Sequence, residues 1–158
     1  MVRYRGETRS LSDSKDVSES FEDALQPQRA LEGNVRATWL ALENEGDQAP
    51  VTCLEVSINL KNGLGGAVWF AGGREAQRIE DETGSDMGYY FWVSESQEPL
   101  AFDPQVMSDF HAPSYFDPRG VIPVSHIRKV VAEYCQLAGG RPTCIEWVAG
   151  NQNGTRLA

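Results

Sequence analysis

VTCLEVSINLKNGLGGAVWF, residues 51–70, alternates, turns and returns. With Cys53 beside them, Leu54, Val56, Ile58 and Leu60 place apolar side chains on the even positions, the period of a half-buried strand. Asn62-Gly63 favours the positive backbone angles of a tight hairpin, so Ala67 to Phe70 should lie back against the strand before it. The run GLGGAVWFAGG also has the look of a phosphate loop. No GK[ST] element follows it, however, and the next segment reads as acidic rather than as a helix packed on a strand.

Working outward, Asn34 to Glu43 carries Val35, Ala37, Trp39 and Ala41 on one parity, a second half-buried strand that makes an antiparallel meander with the first two. Gly88 to Ser94, with Tyr89, Tyr90, Phe91, Trp92 and Val93, is rich in aromatic and β-branched residues and reads as the best-buried strand. Pro99 to Phe102 is a candidate short strand, and Pro104 to Gly120 a long loop with three prolines. Pro123 to Ala138 repeats Val124, Ile127, Val130, Val131, Tyr134, Cys135 and Ala138 at helical spacing. Ser125 is its candidate cap, and Gly139-Gly140 supplies a left-handed stop. Pro142 keeps the helix from resuming, so Thr143 to Val148 enters as a last strand anchored by Trp147.

Near the start, Val2 to Thr8 reads as a short edge strand and Ser10 to Lys15 as a loop. Asp16 or Ser18 caps a short helix bearing Val17, Phe21, Ala24 and Leu25, ended by Pro27. The expected fold is therefore α+β: a single domain with a mostly antiparallel sheet of about five to seven strands and two main helices packed on it. Residues 1–15 form an N-terminal edge strand or flexible segment, 16–150 the domain, and 151–158 a flexible tail.

The chain's 158 residues are enough for one core, and 41% hydrophobic with 23% charged residues is an ordinary globular balance. A formal charge of −9 repels nucleic-acid phosphates and anionic membranes and attracts basic surfaces, so no direct nucleic-acid or membrane partner is expected. No apolar run approaches the roughly 20 residues of a bilayer span, and no secretion signal is read at the start. Cys53, Cys135 and Cys144 form no close metal-type pairs and suit the reducing cytoplasm. Asn153-Gly154-Thr155 reads as a polar tail rather than a glycosylation site.

Catalytic constellations are thin, and no cofactor is implied. His111 lies in DFHAPSYFDP with Asp109 and Asp117, which would have to converge to make a small metal-dependent hydrolase. His126, beside Arg128 and Lys129, reads as a surface residue. No G-x-S-x-G elbow occurs, and Cys144 reads as a buried, protonated thiol in a strand. The H-x-E and P-C-x-x-C motifs of zinc deaminases are absent. What stands out is charge: Arg74 to Asp109 holds nine acidic residues against two basic ones, a net −7. Such a run is either a solvated surface or a docking surface for a basic partner.

VIPVSHIRKVVAEYCQLAGGRPTCIEWV, residues 121–148, resembles the first family of immunity proteins from bacterial polymorphic toxin systems: a Pro-led helix ends in Gly-Gly-Arg-Pro before a strand closing on Trp147. NGLGGAVWF and GYYFWV match that family's glycine-rich hairpin and aromatic strand less specifically. The resemblance implies a non-catalytic α+β domain that binds and neutralises a cognate toxin, frequently a nucleic-acid deaminase. It makes the Gly-Gly-Arg-Pro stretch scaffold rather than site. Family motifs fix no contact residues, since each immunity protein fits its own toxin. The acids Glu80, Asp81, Glu82, Asp86, Glu95 and Asp109, the first four expected in an inter-strand loop, are the physical candidates for a basic toxin. Phe110, Tyr115 and Phe116 are candidate aromatic anchors that could equally be core, and for Tyr89 the core is the better reading. An acidic adaptor for some other basic protein stays open on the same features.

Overall fold

The computed structural model describes residues 1–4, 9–44, 46–47, 49–84 and 91–157. Its centre is the meander of β3 (Asn34–Ala41), β4 (Thr52–Asn59) and β5 (Leu64–Ala71). Their register is continuous, and Trp39, Leu54 and Trp69 stand side by side on one face. On one flank β1 (Val2–Tyr4) pairs with β3 and β2 (Arg9–Leu11) pairs with β1. On the other, β5 pairs with β6 (Phe91–Glu95) at its far end and with the two-residue β9 (Ile122–Pro123) at its near end. β10 (Glu146–Gly150) closes that edge beside β6. Among the described residues the antiparallel sheet thus has eight strands, and β7 (Met107–Asp109) and β8 (Ser114–Tyr115) form a separate ribbon.

Alternation gives the sheet two apolar faces. The first buries Val35, Trp39, Leu54, Ile58 and Trp69 beneath α1 (Ser14–Ala24) and α3 (Val124–Gln136), which contribute Phe21, Ile127, Val130, Val131 and Tyr134. Trp39 Nε1 donates to Ser20 Oγ at 3.1 Å, so the central tryptophan enters the core with its polar atom satisfied. The second face packs Val68 and Val93 against Val106, Phe116 and Val121 of the 104–121 segment. Asparagines pin that segment down: Asn34 Oδ1 accepts the Met107 N–H at 2.9 Å, and Asn62 Nδ2 donates to the Pro104 carbonyl at 2.8 Å.

The hairpin forms at Asn62-Gly63 as expected, with Gly63 at φ 67°. The glycines of NGLGG serve packing: a Cβ on Gly66 would stand 2.5 Å from the Phe116 ring. The glycine is there to admit that ring.

Several expectations are corrected. A third helix, α2 (Gly73–Thr83), occupies the acidic segment expected as a loop. Pro99 to Phe102 is not a strand, and β7, β8 and a 3-10 turn at Pro118–Gly120 give structure to the expected long loop. The best-buried strands are β3 to β5; in β6, Phe91 and Trp92 are half-buried because that strand lies near the sheet edge, and 88–90 fall outside the described residues. Asp13, not Asp16 or Ser18, caps α1, accepting the Asp16 N–H at 2.8 Å. Ser125 does not cap α3, whose N-cap position is Pro123 and carries no side-chain cap. Cys144 is exposed and precedes β10. Residues 151–157 fold back, with Arg156 bridged to Gly150 and ion-paired to Glu95. Among the described residues no helix is long and apolar enough to cross a membrane.

Candidate functional site

Helix α2 carries four acids of the run, Glu75, Glu80, Asp81 and Glu82. Only Ala76 is buried and Ile79 half-buried, so its apolar stripe is narrow and side-chain pairing supports the rest. Arg78 Nη2 lies 2.5 Å from Glu75 Oε1, and Arg78 Nη1 pairs with Glu82 one turn further on. Glu75, Arg78 and Glu82 thus sit at the i,i+3 and i,i+4 spacings that stabilise an exposed helix. Gly84, left-handed at φ 65°, ends α2 by donating its N–H to the Glu80 carbonyl at 2.8 Å.

Glu82 is therefore internally neutralised. Glu80 and Asp81 meet no Lys or Arg among the described residues; Gln77 Nε2 donates to them at 3.3 and 3.1 Å. Asp86, like Tyr89, lies outside the described residues. Glu95 is held by Arg156 at the opposite side of β6 and its side chain is only 20% exposed.

The remaining candidates lie in the 104–121 segment and do not form one cluster with α2. Asp109 Oδ1 accepts the His111 N–H at 2.8 Å and that of Ala112 at 3.4 Å, closing the β7–β8 turn. These bonds hold its carboxyl below the usual range. Asp117 binds Arg119 through side chain and backbone, and the Arg119 guanidinium lowers its pKa likewise. Both carboxylates are thus engaged in their own turns, and His111 is exposed. Among the described residues no three His, Cys, Asp or Glu side chains are grouped to hold a metal, so the hydrolase arrangement does not assemble. Tyr115 is 40% exposed and Phe110 half-buried, whereas Phe116, at 4%, is core. Phe116 is no surface anchor, because Gly66 and Gly154 both make room for its ring.

The Gly-Gly-Arg-Pro turn carries geometry that sequence reading missed. Ala138 and Gly139 both take positive φ, at 49° and 99°, and turn the chain off α3. Trp69 Nε1 donates to the Gly139 carbonyl at 3.1 Å, and Thr52 Oγ1 to the same oxygen at 2.7 Å. Trp147 Nε1 donates to the Pro142 carbonyl at 2.7 Å. Between these two fixed carbonyls, the Arg141 guanidinium lies 4.1 Å from the Trp92 ring centroid and 5.8 Å from that of Trp69. Three tryptophans therefore clamp four residues. Partial burial draws the Arg141 pKa down from its ordinary value. The signal in sequence was a lone arginine between a glycine stop and a proline, in a chain with Trp69, Trp92 and Trp147 on returning strands.

Glu133 fixes the far side of the turn, accepting Thr143 N, Thr143 Oγ1 and Cys144 N. Burial alone would raise its pKa; the side-chain and backbone donors of Cys144 and Thr143 outweigh it and hold the carboxyl at about 2. Cys144 responds in the other direction, pushed up to about 12 by partial burial and then by the Glu133 carboxylate. Its thiol is protonated at neutral pH. A separate open groove of about 300 Å³ runs between α1 and α3, lined by Val17, Phe21, Arg128, Val131 and Cys135.

These features define a small α+β protein whose distinctive chemistry lies on its surface, in a clamped arginine and an acidic helix. The chain belongs to the family described as Immunity protein Imm1, whose family model matches residues 5–149. No curated protein and no solved structure matches it.

Proposed function

We propose that this chain is a cytoplasmic immunity protein that binds the toxin domain encoded beside it, a basic nucleic-acid deaminase, and covers its active cleft stoichiometrically without turnover. Family membership across residues 5–149 is the observation that carries the reading. The acidic surface supports it: a toxin acting on nucleic acid needs a basic groove, and fixed carboxylates can occupy that groove in place of phosphates. The deaminase assignment follows the family resemblance.

Within the acidic run, Glu80 and Asp81 are the steering charges, because Arg78 and Arg156 already engage Glu82 and Glu95. Tyr115 and Phe110 are secondary contacts beside Asp109. Expression of the neighbouring toxin domain in a susceptible host should stop growth, and co-expression of this chain should restore it. Continued growth arrest with both proteins soluble would remove the reading for that pair.

A further inference from the structure

We propose that Arg141, held by the tryptophan clamp of the Gly-Gly-Arg-Pro turn, is the anchor that grips a carboxylate on the toxin surface. The proposal rests on the immunity reading and names the contact that would hold the complex once charge has brought the partners together.

Arg141 differs from its neighbours in kind. Arg29, Arg36, Arg74, Arg78, Arg119, Arg128 and Arg156 each pair with a carboxylate of this chain. Arg141, in a protein with 23 acidic residues, has none among the described residues, and its guanidinium lies over the Trp92 and Trp69 rings instead. A guanidinium seated over indole rings with no carboxylate partner has its N–H fork available to a bidentate acceptor. The indole N–H of Trp92, whose ring lies under the guanidinium, is buried without a partner among the described residues.

The clamp matters because ordering a long side chain on binding costs affinity. Here the backbone is fixed on both sides, by Trp69 at Gly139 and Trp147 at Pro142, and the guanidinium is seated before any partner arrives. Arginine and tryptophan together are the usual material of interface hot spots. The acceptor is a carboxylate set in a basic surface rather than a nucleic-acid backbone. A net charge of −9 repels a polyanion, and α2 packs its Ala76 and Ile79 on the same face of the sheet as Trp69 and Trp92. The acids of α2 and the arginine thus meet the partner from one side.

The test measures binding of the purified neighbouring toxin domain, carrying an inactivating substitution, to wild type, Arg141→Gln and Arg141→Lys, alongside each variant's melting temperature. Wild type should bind tightly. Arg141→Gln should raise Kd about 30-fold or more, mainly through faster dissociation. Its melting temperature should fall by only about 2–4 °C. Arg141→Lys keeps the charge but loses the planar guanidinium and its fork, and should lose about tenfold. If Arg141→Gln fails to fold, Arg141→Lys decides alone. Tight wild-type binding with either folded variant within about threefold of it would overturn the anchor role while leaving the immunity reading intact. Absence of wild-type binding would instead sink the immunity reading for that pair, and the anchor with it.

Discussion

Glu133, on the last turns of α3, accepts both the backbone N–H of Thr143 at 2.9 Å and its hydroxyl at 2.7 Å. One carboxylate therefore ties the helix to the chain that has just left it, and sets the direction in which β10 begins. Because the donors favour the ionised form, the folded-state pKa of about 2 lies below the ordinary 4.5. The stability this contributes is fully present above about pH 4.5 and is lost as pH falls toward 2. Thermal unfolding of wild type and Glu133→Gln should differ most at neutral pH and converge in acid. A gap that stays constant from pH 7 to 3 would mean that the carboxylate's charge is not what holds the turn.

The two glycines of the turn are not equivalent. Gly139 has φ 99°, and a Cβ there would stand 2.2 Å from the Ala41 Cβ and 2.6 Å from Thr52 Oγ1. Gly140 would meet only the Leu137 side chain and carbonyl, at 3.1 Å or more. Gly139→Ala should cost about 3 kcal/mol, combining backbone strain and overpacking, and Gly140→Ala well under half of that. Chemical denaturation of the two variants checks the ranking.

Trp147 packs against the first core cluster but is half-buried. Trp147→Ala should cost about 2 kcal/mol, below the ~3–5 of a fully enclosed tryptophan. Trp147→Phe, which keeps much of the packing but loses the bond to Pro142, should cost about 1 kcal/mol. Denaturant midpoints would reveal a fully structural role if Trp147→Ala matched Trp39→Ala.

Charge reversal on α2 separates steering from solubility. Glu80→Lys with Asp81→Lys should slow association with the toxin domain about tenfold at low salt, reduce its salt dependence and leave dissociation nearly unchanged. Glu82 is left alone because reversing it would break the Arg78 pairing that supports the helix. Stopped-flow mixing at two ionic strengths measures this; unchanged association rates would return α2 to a solvated face.

The meander, its hairpin and α3 were legible because periodicity and Asn62-Gly63 act locally. Helix α2 was not, because its two apolar residues give no stripe and flanking glycines suggested a loop; the Glu75, Arg78 and Glu82 spacing was the available signal. The sequence leaves Phe116 open between anchor and core because its burial depends on Gly66 and Gly154, distant in sequence. The clamp around Arg141 was illegible for the same reason: its tryptophans come from β5, β6 and β10, joined only by sheet pairing.

The most direct test of the account is titration of the purified neighbouring toxin domain with this protein while its modification of single-stranded DNA or RNA is followed. Activity should fall linearly and vanish at one equivalent, with a stable complex on gel filtration. Full activity in the presence of excess folded protein would contradict the immunity assignment for that pair and leave an acidic adaptor role in its place.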